Sequence, residues 1–150
     1  METKSWRIYW RDYCSQTFLY GSEISFLSKN NVRYRNRLIS PGSIINEWFS
    51  KTNYQAMRIE PTLPLIEGGL YYQIETFIEC FDESAVLLRI VFFDKNEEEI
   101  ESIILKNTKG IMKYPIKAYS YKIQLINIGI ADFCFHSLVI TEMGDSIDKK

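Results

Sequence analysis

Histidine is nearly missing from this 150-residue chain, with His136 as the sole example. Any Ser/His/Asp or Cys/His site would have to use that one ring as its base. It sits in an alternating stretch between Phe135 and Ser137, where a histidine is ordinarily structural or solvated. No G-x-S-x-G elbow marks a serine nucleophile. There is no G-x-G-x-x-G or Walker sequence, and Gly68-Gly69 is too short to cradle a phosphate. Cysteine is scarce too. Cys14, Cys80 and Cys134 are odd in number and far apart, which fits neither a disulfide framework nor metal-ligand spacing. They read as reduced thiols of a cytosolic protein. Long apolar runs are absent: the most apolar stretch, Ala85 to Phe93, is interrupted by Arg89. A bilayer span needs roughly 20 apolar residues. The N-terminal METKSWRIYWRDY carries charge throughout and has no apolar core, so no signal peptide is expected and the chain is placed in the cytoplasm. A sustained helical period is missing as well.

Aromatic residues are plentiful, at 15% within a hydrophobic content of 46%, a globular composition that favours pleated sheet. The length suits one domain spanning 1–150, with a polar, frayed tail at about 144–150. A net charge of −1 argues against general nucleic-acid binding, which needs a basic footprint. The charge is uneven, with +5 from Met1 to Arg58 and −6 from Ile59 to Lys150.

Period-2 alternation marks strands at Trp6–Arg11, Ile24–Leu27, Val32–Leu38, Ile44–Phe49 and Tyr54–Ile59. Pro61, Pro64 and Gly68-Gly69 make Glu60–Gly69 an irregular crossover between sheets. Leu70–Phe81, Ala85–Phe93 and Glu99–Leu105 read as a three-strand meander, with a tight turn at Asp82-Glu83-Ser84. Asn107–Tyr114 reads as a candidate helical turn limited by Gly110 and Pro115. Tyr119–Asn127 and Phe133–Thr141 read as a final pair linked through Gly129. About ten short strands with one long crossover predict an all-β, antiparallel, jelly-roll-like β-sandwich.

Three residue sets are candidates for binding. Arg33, Arg35 and Arg37 alternate, so they share one strand face and form a guanidinium ladder suited to a carboxylate-rich partner or an anionic membrane. The competing reading is a solvent face balanced by nearby acids. Trp10, Trp48, Tyr71, Tyr119 and Tyr121, with Trp6, are rings able to cover the apolar face of a sugar, although a sandwich must spend most of its aromatics on its core. Asp94, Glu97, Glu98, Glu99 and Glu101 have the oxygen ligands a hard cation needs but lack the calcium-loop pattern, which favours a solvated hairpin tip. No catalytic residue, metal or cofactor is expected.

The second half resembles a carbohydrate-binding-module sandwich in four segments. Glu60–Leu65 leads through Gly68-Gly69 into Tyr71–Ile74, and Leu88–Phe93 ends in Asp94-Lys95-Asn96. Tyr121–Asn127 and Phe133–Ile140 follow. From Trp6 to Glu142, including Ile44-Ile45-Asn46-Glu47-Trp48 and Asn53-Tyr54-Gln55, the chain more closely resembles the smallest of the three core accessory Sec system proteins of Gram-positive bacteria. That resemblance implies a non-enzymatic scaffold or chaperone in complex with two larger accessory proteins. It further implies a role in exporting glycosylated serine-rich repeat adhesins to an accessory motor ATPase and channel. Membrane association would be peripheral, through the complex. A free-standing glycan-binding module is the alternative, and a small hydrolase, which would depend on His136, is a third reading.

Overall fold

The computed structural model describes residues 4–10, 21–50, 68–81, 85–106, 108–129 and 131–144. The strands within them are β1 (Ser5–Ile8), β2 (Glu23–Ser28), β3 (Asn31–Asn36), β4 (Ile44–Phe49), β5 (Tyr71–Cys80), β6 (Val86–Phe93), β7 (Glu99–Leu105), β8 (Lys109–Lys113), β9 (Ser120–Asn127) and β10 (Ala131–Gly144). They form two sheets, antiparallel throughout. The larger runs β2-β3-β10-β5-β8, and the smaller runs β4-β9-β6-β7. The long strand β10 organises the larger sheet. One edge pairs with β5 along its length, while the other takes β3 at Ala131–Phe135 and then β1 at Leu138–Thr141.

The predicted antiparallel sandwich is the fold the chain adopts, but several local pairings differ. The meander does not form: β5 lies in the larger sheet, and only β6 and β7 make a hairpin. Nor do β9 and β10 pair, because they belong to opposite sheets. Alternation reports that a strand has one buried face, not which sheet it joins. The candidate helical turn is instead strand β8, with Met112 buried between exposed Ile111 and Lys113. The Val32–Leu38 strand ends at Asn36, leaving Arg37 and Leu38 beyond it. The expected strand Tyr54–Ile59, the crossover up to residue 67, the turn at 82–84 and the tail from 145 lie outside the described residues.

Between the sheets is an aromatic core. Trp10 meets Trp48 edge-on at 6.4 Å and Phe135 at 5.5 Å, while Tyr34 stacks on Phe133 at 5.4 Å. A buried indole needs a partner for its N–H. Trp48 Nε1 donates to the Tyr9 carbonyl at 2.9 Å. A second ring group joins Phe92, Tyr114 and Tyr121 through edge contacts at 5.4 and 5.5 Å. Burial pushes the Tyr114 hydroxyl up to about 12, and Tyr72 beside it adds to the rise. Burial also holds Tyr121 well above the usual phenol value, with smaller contributions from Tyr114 and Tyr72.

One irregularity sets the aim of β10. Phe133 and Phe135 point inward, and so do Leu138 and Ile140, which requires a change of parity between them. The register against β5 shifts between Phe135 and Ser137, placing His136 at a β-bulge.

Candidate functional site

The arginine ladder is partly satisfied within the fold. Arg33 Nε and Nη2 donate to Asp132 Oδ1 at 3.0 and 2.7 Å, and the guanidinium lies 4.6 Å from the centre of the Phe81 ring. Arg35 Nε sits 3.8 Å from Asp132 Oδ2, and its Nη1 is 3.6 Å from Glu23. The Asp132 side chain is only 5% exposed, so it needs cationic partners. It stands opposite Arg35 in the β3–β10 register, on the outer face of the sheet. Sequence reading missed Asp132. Its signal was an acid between the inward Ala131 and Phe133, a position that must turn outward. Arg37, past the end of β3, lines a depression of about 170 Å³ with Leu38, Glu23 and Arg35, and Leu38 is 71% exposed.

The aromatic candidates divide by burial. Trp10, Trp48 and Tyr121 are fully enclosed core residues and present no ring face to a ligand. Trp6 packs against the core. Tyr71 is half-buried beside Lys113, and Tyr119 is exposed.

His136 Nδ1 donates to the Asn30 carbonyl at 2.9 Å, bracing the bulge against the β2–β3 turn. The acidic run forms a hairpin tip. Asp94 Oδ1 accepts the amides of Asn96 at 2.8 Å and Glu98 at 3.0 Å, and Glu97 takes the left-handed conformation with φ of 65°. No cluster of three His, Cys, Asp or Glu side chains suited to a metal occurs among the described residues. Cys80 and Cys134 are not in a disulfide, and Cys14 lies outside the described residues. No described helix is long and apolar enough to cross a membrane.

Across the outer face of the smaller sheet runs a polar row. Gln124 Nε2 donates to Glu47 at 2.6 Å, Arg89 Nη1 donates to Gln124 at 3.3 Å, and Arg89 approaches Glu99 at 3.7 Å. Lys122 pairs with Glu47 at 3.4 Å between the Phe49 and Phe93 rings. These groups satisfy one another. In contrast, the side of the sandwich bearing β7 and β8 exposes Ile100, Ile104, Ile111 and Ile116. A depression of about 440 Å³ there is lined by Ile100, Glu101, Lys113, Pro115, Ile116 and Lys117.

Two antiparallel sheets closed over an aromatic core form a β-sandwich whose fold is like that of carbohydrate-binding modules. A solved Clostridium thermocellum xylanase structure, containing a family 22 module and complexed with xylohexaose, superposes with a TM-score of 0.54. The match covers 99% of this chain and 29% of that one at 14% identity, a likeness of fold alone. Within that class, the chain belongs to the family described as Accessory Sec secretory system ASP3, whose model matches residues 17–142. A family member from Streptococcus gordonii is 39% identical over 127 residues, covering 85% of this chain and 80% of the relative. A crystal structure of accessory secretory proteins 1, 2 and 3 from Streptococcus pneumoniae contains a chain that superposes with a TM-score of 0.83. That match has 33% identity and covers 90% of this chain and 94% of that one.

Proposed function

We propose that this chain works without catalysis, as the small binding member of a complex with two larger accessory Sec proteins. In this reading residues 1–150 fold as one cytoplasmic domain. The complex supports export of glycosylated serine-rich repeat adhesins, delivering them to the accessory motor ATPase and channel, and meets the membrane only peripherally. The observation that carries the reading is the near full-length match to a chain solved together with accessory secretory proteins. The aromatic core between the sheets fits it, because such a core leaves the chain its surface to work with. The partner contact on this side is the arginine-bearing segment Arg33, Arg35 and Arg37, with the exposed Leu38 beside it.

A free-standing glycan-binding module is the second reading, favoured by the exposed ring of Tyr119 and the half-buried ring of Tyr71. The two separate in the producing bacterium. Deleting the gene should leave the serine-rich repeat adhesin inside the cell, and restoring it should return the adhesin to the surface. Normal surface adhesin in the deletion strain would reject the export role.

A further inference from the structure

The β7–β8 side of the sandwich has a specific hydrogen-bonding pattern. β7 ends the smaller sheet and β8 ends the larger, and one depression lined by Ile100 and Glu101 of β7 and Lys113 of β8 places the two strands side by side. Thr76 N donates to the Thr108 carbonyl at 2.7 Å, and Tyr114 N donates to the Leu70 carbonyl at 2.9 Å. Backbone groups in an antiparallel pair alternate in direction. Thr108, Gly110, Met112 and Tyr114 therefore turn theirs toward β5, and Lys109, Ile111 and Lys113 turn theirs outward, where no described strand receives them.

The side chains at this edge are equally distinctive. From Lys106 to Ala118 the chain carries four lysines and no acid. Lysines alone would be ordinary protection of a strand edge. Here they flank an exposed Ile111, and the adjoining depression is lined by Ile100, Pro115 and Ile116 together with Glu101, Lys113 and Lys117, with Ile116 79% exposed. Edge protection does not require uncovered isoleucines next to unpaired backbone groups.

We propose that β8 accepts an added β-strand from another accessory Sec protein of the same complex, an extended segment that alternates carboxylates with apolar residues. This rests on the complex-member reading. Main-chain bonds to Lys109, Ile111 and Lys113 supply the affinity. Because these three side chains share one face, the segment places carboxylates opposite Lys109 and Lys113 and an apolar side chain opposite Ile111. A further apolar residue enters the depression beside Ile116.

The chain is co-expressed with the two larger accessory Sec proteins of its own organism, and hydrogen exchange is resolved to single amides in the free chain and in the complex. Protection should rise about tenfold or more at Lys109, Ile111 and Lys113 on complex formation, while Gly110 and Met112 are protected in both states. Ile111→Pro removes only an outward amide, so it should weaken complex recovery about tenfold or more and leave the β5–β8 ladder intact. Lys109→Glu with Lys113→Glu should weaken it likewise. An intact complex with no change at those three amides overturns the proposal, and so does protection of the same amides by self-association of the free chain. If Ile111→Pro fails to fold, the exchange comparison on the unaltered chain decides alone. If the unaltered chain recovers no accessory protein, the complex-member reading itself fails.

Discussion

Tyr114 shows how one buried group ties this fold to pH. Its hydroxyl is pushed up to about 12 by burial, with Tyr72 contributing, whereas an unfolded tyrosine ionises near its ordinary value of 10.0. Below that value both folded and unfolded chains hold the proton, so the stabilisation is fully present. As pH rises from about 10 toward 12 the unfolded chain loses tyrosine protons first, and stability falls. Tyr121, also raised, acts in the same direction. Denaturant melts at about pH 9 and about pH 11 should show a smaller loss for Tyr114→Phe than for the unaltered chain. An equal loss in both would remove Tyr114 from this account. Some of this was legible in the sequence. An aromatic-rich sandwich had to bury most of its rings, and Trp10, Trp48 and Tyr121 went to the core on that principle. Which rings would stay outside was not legible, because a strand's face is fixed by its sheet partners.

Between elements, the main new feature is the pin that joins β3 to β10. Asp132 is almost enclosed, and Arg33 and Arg35 bracket its carboxylate. Removing one partner leaves a buried carboxylate undercompensated, so Arg33→Ala should lower unfolding stability by about 2–3 kcal/mol. Lys95 is exposed at the tip of the β6–β7 hairpin, and Lys95→Ser should stay within about 0.5 kcal/mol. Urea unfolding of the two variants provides the comparison, and equal losses would contradict the pin. The alternation Arg33/Arg35/Arg37 was visible in the sequence, but its carboxylate lies 99 positions from Arg33 and becomes a neighbour only through the β3–β10 register. The same limit explains the misplaced pairings. β5 and β6 read as a hairpin because they are adjacent in sequence, yet the chain crosses between sheets there. Strand β8 was hidden because Gly110 removes one inward side chain, leaving Met112 as the sole buried residue of a five-residue strand. The bulge at His136 was readable in principle, since the inward residues change from odd to even positions between Phe135 and Leu138.

At the scale of the whole molecule, the chain presents a finished interior and an unfinished edge. The polar row on the smaller sheet and the Asp132 pin on the larger are internally paired. The β7–β8 side combines exposed isoleucines with outward backbone groups. Such a surface suits a protein that acts by being held in an assembly. The measurement that tests this most directly is the molar mass of the purified assembly, by light scattering after size exclusion, when this chain is produced together with the two larger accessory Sec proteins of its organism. A single species containing all three chains is the expected result. Elution of this chain alone, folded and separate from the other two, would contradict the account.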